Sequence, residues 1–183
     1  MSSQLDLAAV CGRALAAIDG WLNDNDRALL RSRSLETTPT LYGEILRRLP
    51  HEHVEHAEAA WLPIVKALGH LGHNVDHALH TEAKKEAWGR TVGYLLGYGG
   101  YSDLRMTRLL TGRGVRLPQA IENSLDLLIR KRVGACRLGD LAVLGVADAL
   151  GDRAAYARAR RRIAMDYARG VDAADRNAAR PAA

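Results

Sequence analysis

Apolar side chains recur every three or four residues along most of this chain, which is the spacing of one buried face of an α-helix. The first such stripe consists of Leu7, Cys11, Leu15, Ile18 and Leu22. No segment combines a period of two with many β-branched residues, so no substantial sheet is expected. The sequence therefore predicts an all-α fold, either a compact bundle of about eight helices or two small helical lobes.

Helix starts and stops can be read from capping residues. Thr38–Pro39 and Ser102–Asp103 are typical of helix starts, since Pro is tolerated in the first turn and short polar side chains cap it. Gly112 and Gly151 are typical of helix ends, and Asp152 can cap a last helix.

The chain has no clear linker. Residues 1–170 are predicted to form a single helical domain. If this domain consists of two lobes, we expect them to join at residues 69–81. From Gly170 onward the sequence is mostly Ala, Asp and Arg without apparent periodicity. We therefore expect residues 171–183 to form a disordered tail.

Charge is distributed unevenly between the two halves of the chain. Residues 1–86 carry nine Lys and Arg against twelve Asp and Glu, whereas residues 87–183 carry seventeen against nine. Of the 26 basic residues 22 are Arg, whose planar fork pairs with phosphate through two hydrogen bonds. The basic half indicates a face that binds a polyanion. The alternative is an ordinary surface on which a GC-rich genome encodes Arg in place of Lys.

Several classes of protein fit the sequence poorly. No apolar run is long enough to span a bilayer, and residues 1–6 lack the basic start of a signal peptide. Cys11 and Cys136 are isolated, which fits reduced thiols and a cytoplasmic protein. Neither a Gly-rich phosphate loop nor a nucleophile elbow is present. We expect no catalytic residues and no cofactor.

A run of histidines raises the question of a metal site, and with it a metalloenzyme. Its members are spaced three, four and three apart: His70, His73, His77 and His80. On one continuous helix they would share a face that suits zinc. Gly69 and Gly72 interrupt the run, and no carboxylate is placed as in a metalloprotease helix. The sequence favours a solvated helix end or loop without a functional metal.

Glycines and tyrosines alternate in the middle of the chain, at Gly89, Gly93 and Gly97 and at Tyr94, Tyr98 and Tyr101. Glycines four residues apart leave room for a second helix to approach closely. The tyrosines offer faces on which bases could stack, although half-buried packing is the commoner use of such residues.

The order of several motifs resembles the CasB family, the small subunit of the type I-E CRISPR surveillance complex (Cascade). The segments that carry the resemblance are 89–93 (GRTVG), 104–110 (LRMTRLL), Leu117–Pro118, 125–129 and 160–167 (RRRIAMDY). It is good from Trp88 to Gly170 and weaker over 27–49. Tryptophans that are frequent in the family are replaced near Cys136 and at Ile163.

The resemblance implies an all-helical, non-catalytic subunit that acts in antiviral defence. Such a subunit would bind the crRNA and the target or displaced DNA, contact the backbone and large subunits, and be present as a second copy in the complex. Family-matching positions and the concentration of charge together select nine candidate contacts: Arg31, Arg33, Arg90, Arg105, Arg108, Arg113, Lys131, Arg132 and Arg161.

Two of the basic clusters also have a structural alternative. Arg130, Lys131 and Arg132 close a predicted helix, where cations favour the helix dipole. Arg105 or Arg108 could pair with nearby Asp103 instead of with phosphate.

A different class of protein, a small DNA-binding regulator of the helix-turn-helix type, is the main alternative. Residues 112–118 could form its turn. The helix that follows begins with Pro118-Gln119-Ala120-Ile121-Glu122, in which Glu122 would face phosphates.

Overall fold

The described part of the chain is predominantly helical. The computed structural model describes residues 6–32, 38–50, 54–71, 91–133 and 136–179. These ranges contain nine α-helices and no strand, apart from an isolated parallel bridge between Thr91 and Arg137. The prediction of an all-α bundle is confirmed, with nine helices in the described ranges where about eight were expected.

The nine described helices follow in chain order. They are α1 (Leu7–Trp21), α2 (Asp24–Ser32), α3 (Pro39–Leu46), α4 (Val54–Leu71), α5 (Val92–Tyr98), α6 (Asp103–Thr111), α7 (Arg116–Arg130), α8 (Gly139–Leu150) and α9 (Arg153–Ala178). Asp152 caps α9, since its carboxylate accepts a hydrogen bond from the Ala155 amide at 2.9 Å. Thr91 accepts one from the Tyr94 amide in the same way at the start of α5.

Helix α8 forms the centre of the core. All of its residues from Gly139 to Ala147 are buried, including Asp140, whose carboxylate pairs with Arg162 of α9 at 2.8 Å. It packs against α1, α4 and α9. At Gly145 the approach to α4 is so close that a Cβ would lie 2.5 Å from Cβ of Ala60.

A buried charge holds the first helices together. Arg27 on α2 is 2% exposed. Its guanidinium pairs with Asp19 on α1 at 2.6 Å and donates to the Leu68 carbonyl on α4 at 2.8 Å. Arg27 thereby links α1, α2 and α4, and removing either partner would leave a buried charge uncompensated.

The glycine spacing on α5 is explained by its contact with α9. A Cβ at Gly93 or Gly97 would lie closer than 3.0 Å to a backbone carbonyl oxygen of α9. Gly170 on α9 meets the Tyr94 carbonyl in the same way. The expected close helix–helix approach is therefore present for Gly93 and Gly97, while Gly89 lies outside the described residues.

The last helix extends beyond the point at which the sequence predicted a tail. The predicted disordered tail is wrong for residues 171–178, because α9 continues to Ala178. Its path past Gly170 is held by the close contact with α5, and the Asn177 amide donates to the Tyr98 hydroxyl at 2.9 Å. Residues 180–183 lie outside the described part, as do 72–81 of the expected lobe junction.

Candidate nucleic-acid interface

A groove opens between α6 and α7 next to the turn that joins them. Its volume is about 1070 Å³. The described residues that line it are Tyr101, Arg105, Arg108, Thr111, Gly112, Arg113, Val115, Arg116, Gln119, Ala120, Asn123 and Arg130. We call this cavity the arginine groove, because five of its lining residues are arginines.

The arginine groove concentrates positive charge, and four of its five arginines form no ion pair with any described residue. No Asp or Glu is among the described residues that line it. Arg105 and Arg108 are exposed, one helical turn apart on α6, and form no ion pair with any described residue. Five guanidiniums around one cavity repel each other, so an anion that enters the cavity lowers the electrostatic free energy. Phosphate suits the site because guanidinium forks bind it through paired hydrogen bonds.

Asp103 forms a hydrogen bond with a tyrosine and no ion pair with Arg105 or Arg108. Its carboxylate accepts a hydrogen bond from the Tyr167 hydroxyl at 2.8 Å. The same hydroxyl lies 2.6 Å from the Tyr101 carbonyl oxygen. Burial and then the hydrogen bond to Asp103 raise the pKa of Tyr167 to about 12, so the phenol stays protonated. The start of α6 is thereby tied to α9, and Arg105 and Arg108 face solvent.

Arg113 differs from the other groove arginines because two side chains of the protein already contact its guanidinium. Its guanidinium carbon lies 3.1 Å from the centre of the Tyr156 ring, and its Nη1 is 3.1 Å from the Asp148 carboxylate. About half of the Arg113 side chain remains exposed. The guanidinium can therefore still reach an anion, although binding would compete with Asp148.

The other predicted contacts lie outside the arginine groove. Arg31 donates a hydrogen bond to the Gly69 carbonyl at 3.0 Å and so ties α2 to the end of α4. Lys131 and Arg132 are exposed just after α7, and Arg161 is exposed on α9. Arg33 and Arg90 lie outside the described residues. Of the nine candidates the groove gathers Arg105, Arg108 and Arg113.

Two groove arginines, Arg116 and Arg130, were not among the predicted contacts. Both line the cavity from α7, with Asn123 midway between them. The three residues are spaced seven apart, which places them on the same side of a helix. This spacing could have shown that they share one face of a helix, but not that this face lines a cavity with α6.

The tyrosines on α5 stack on each other. The rings of Tyr94 and Tyr98 lie 6.1 Å apart between centroids, at an interplanar angle of 7°. Tyr98 is exposed and Tyr94 half-buried. Tyr101 is buried, yet it contributes to the lining of the arginine groove.

Metal-binding and nucleophilic groups form no cluster in the described ranges. Across them there is no group of three or more His, Cys, Asp or Glu that could hold a metal ion. His70 lies at the end of α4, with much of its side chain exposed. The part of the ring that is buried lowers its pKa most, and the positive charges of Arg31 and Lys66 lower the pKa further. His73, His77 and His80 lie outside these ranges, so the histidine prediction stays open.

Both cysteines are buried within the core. Burial raises the pKa of Cys11 to about 12, and that of Cys136 is raised for the same reason. Since the thiolate is the reactive form, neither side chain is suited to nucleophilic chemistry at neutral pH.

No protein-family model, curated protein or solved structure matches this chain. Among the described helices none combines the length and apolar character required to cross a bilayer.

Proposed function

We propose that this chain is a non-catalytic, nucleic-acid-binding small subunit of a type I-E CRISPR surveillance complex. The observation that supports it best is the arginine groove, with five guanidiniums and no carboxylate among its described lining residues. The resemblance to the CasB family supplies the type of complex. It implies the crRNA, target DNA, backbone and large subunits, and a second copy of this chain as partners.

The proposed role is to stabilise an open R-loop rather than to catalyse a reaction. Exchanging a DNA duplex for a guide–target heteroduplex is nearly balanced in free energy. Contacts to the phosphates of the heteroduplex or of the displaced strand therefore shift the equilibrium toward the open form. Such contacts release counterions and carry no base information. They require a basic surface that faces outward, as Arg105 and Arg108 do.

The double substitution Arg105→Ala with Arg108→Ala tests this proposal. Both side chains are exposed and lack ion-pair partners among the described residues, so the fold should survive. If each contacts one phosphate, the slope of log affinity against log salt should flatten by about 1.4, or about 0.7 per phosphate of a single strand. Fluorescence anisotropy with a labelled single strand, repeated at several salt concentrations, measures this slope.

A matched control removes two charges elsewhere. Arg13 and Arg176 are exposed on α1 and α9, outside the arginine groove. Replacing both by Ala should leave the slope close to that of the wild type, because distant charges are screened. Equal slopes for the two double variants would contradict phosphate binding in the groove. Co-purification of guide RNA and partner subunits with the wild-type chain tests the assignment to the complex.

A DNA-binding regulator remains the second candidate, because α6, the turn and α7 form two helices joined by a short turn. Gln119 and Asn123 are exposed on α7 and line the groove, and such amides can read adenine in the major groove. The Gln119 amide, however, donates to Glu122 at 3.2 Å. A regulator should lose roughly 1–3 kcal/mol of binding free energy per mismatched base pair. Indifference to sequence across duplexes would exclude it.

A further inference from the structure

One strongly exposed apolar side chain lies in the turn beside the arginine groove. Val115 is 92% exposed, in the turn between α6 and α7, and is followed directly by Arg116. It is also one of the residues that line the groove. A single exposed Val on an ordinary surface needs no explanation. This one differs because the protein fixes the turn that carries it.

The turn is held by contacts on both sides of Val115. Gly114 has a φ of 51°, in the left-handed region, and its amide donates to the Asp148 carboxylate at 2.7 Å. That carboxylate also pairs with Arg113, whose guanidinium lies over the Tyr156 ring.

The beginning of the turn is held by the Tyr156 hydroxyl. This group lies 3.0 Å from the Leu110 carbonyl oxygen and 2.9 Å from that of Gly112. Tyr156 itself is buried on α9, against the core. The backbone of the turn that carries Val115 is therefore held by Asp148 of α8 and Tyr156 of α9.

From this arrangement we propose that Val115 is an apolar wedge that packs against an unstacked base of the strand whose phosphates the arginine groove binds. The inference rests on the proposed function and adds a contact to bases. A nucleic-acid strand is the partner that presents anions and apolar faces side by side, as this turn requires. Insertion of an aliphatic side chain between bases is an established use of apolar residues in nucleic-acid binding. Such a contact accepts any base, because every base has an apolar face.

A strand without bases provides the discriminating probe. The wild-type chain and the Val115→Ser and Val115→Leu variants are titrated with two single strands of equal length. One carries bases throughout, and the other has abasic sites at its central positions. Both strands present the same phosphates. A substitution that weakens binding to the strand with bases, but not to the abasic strand, therefore reports contact with bases.

On the strand with bases, Val115→Ser should bind about fivefold more weakly than the wild type, as expected when roughly 40 Å² of apolar contact is lost. On the abasic strand the two should bind equally. Val115→Leu, which keeps an apolar group, should bind the base-carrying strand at least as well as the wild type. Met165→Gln, which removes an exposed apolar side chain from α9, should change neither affinity.

The salt dependence separates this inference from the proposed function. All the variants keep the five arginines, so their salt slopes should match. Equal affinities of Val115→Ser and wild type on the strand with bases, or the same loss on both strands, would overturn the wedge while leaving phosphate binding intact. A Val115→Ser chain that binds both strands normally but no longer co-purifies with a partner subunit would show that Val115 faces protein. If wild type shows no salt-dependent binding to either strand, the proposed function fails as well.

Discussion

The contact between α5 and α9 gives a sharp test of the packing. Gly97 lies on α5, where a Cβ would come closer than 3.0 Å to the Tyr167 carbonyl oxygen and would lie 2.9 Å from the Val171 amide nitrogen. Both are backbone atoms of α9 and cannot rotate away. The substitution Gly97→Ala must therefore separate the two helices or bend one of them.

The expected cost follows from two opposing contributions. Overpacking a well-packed contact costs about 1–3 kcal/mol, and a clash with backbone belongs at the upper end. Ala favours the helix over Gly by up to about 1 kcal/mol, which offsets part of this cost. The net loss in the free energy of unfolding is about 2 kcal/mol. For a chain of this size that lowers Tm by about 4–8 °C.

Thermal unfolding followed by circular dichroism at 222 nm measures the change. Gly43→Ala is the matched control, since Gly43 lies inside α3 and a Cβ there would meet nothing within 4 Å. That variant should gain about 0.5–1 kcal/mol, because Ala loses less backbone entropy than Gly on folding. A Gly97→Ala protein that melts at or above the wild-type temperature would refute the close contact between α5 and α9.

Two further predictions concern buried polar groups. Replacing Arg27 by Met should cost about 3 kcal/mol in urea unfolding, because Asp19 loses its buried cation. Arg47→Ala, which breaks an exposed ion pair, should change stability by less than about 0.5 kcal/mol, and equal losses would contradict this difference. Burial raises the pKa of Tyr167 from 10.0 to about 12, which favours the protonated phenol in the folded state. The stability that the protonated Tyr167 phenol contributes to the fold should be fully present below pH 10 and should disappear toward pH 12. Tyr167→Phe should therefore lose less stability between pH 10 and pH 12 than the wild type. A variant whose stability depends on pH as the wild type's does would refute this prediction.

The sequence by itself determined the helical class and several helix boundaries, among them Thr38, Ser102, Gly112 and Asp152. These properties depend on local interactions, such as an apolar face that repeats every 3.6 residues and caps like Asp152 that bond within their own first turn. Local spacing was also sufficient to place Arg105 and Arg108 together, because both lie within one helix. The arginine groove could be predicted to that extent.

Tertiary structure decided the rest of the groove and the end of the chain. Arg116 and Arg130 complete the cavity because α7 lies beside α6, and no spacing within one helix determines how two helices face each other. Asp148 and Tyr156, which hold the turn at Val115, lie more than 30 residues further along the chain. The residues after Gly170 lack an obvious apolar pattern, yet they stay helical because Gly170 lets α9 approach the backbone of α5. The glycine spacing on α5 indicated that a second helix could approach closely, but which helix does so depends on the fit between two distant backbones.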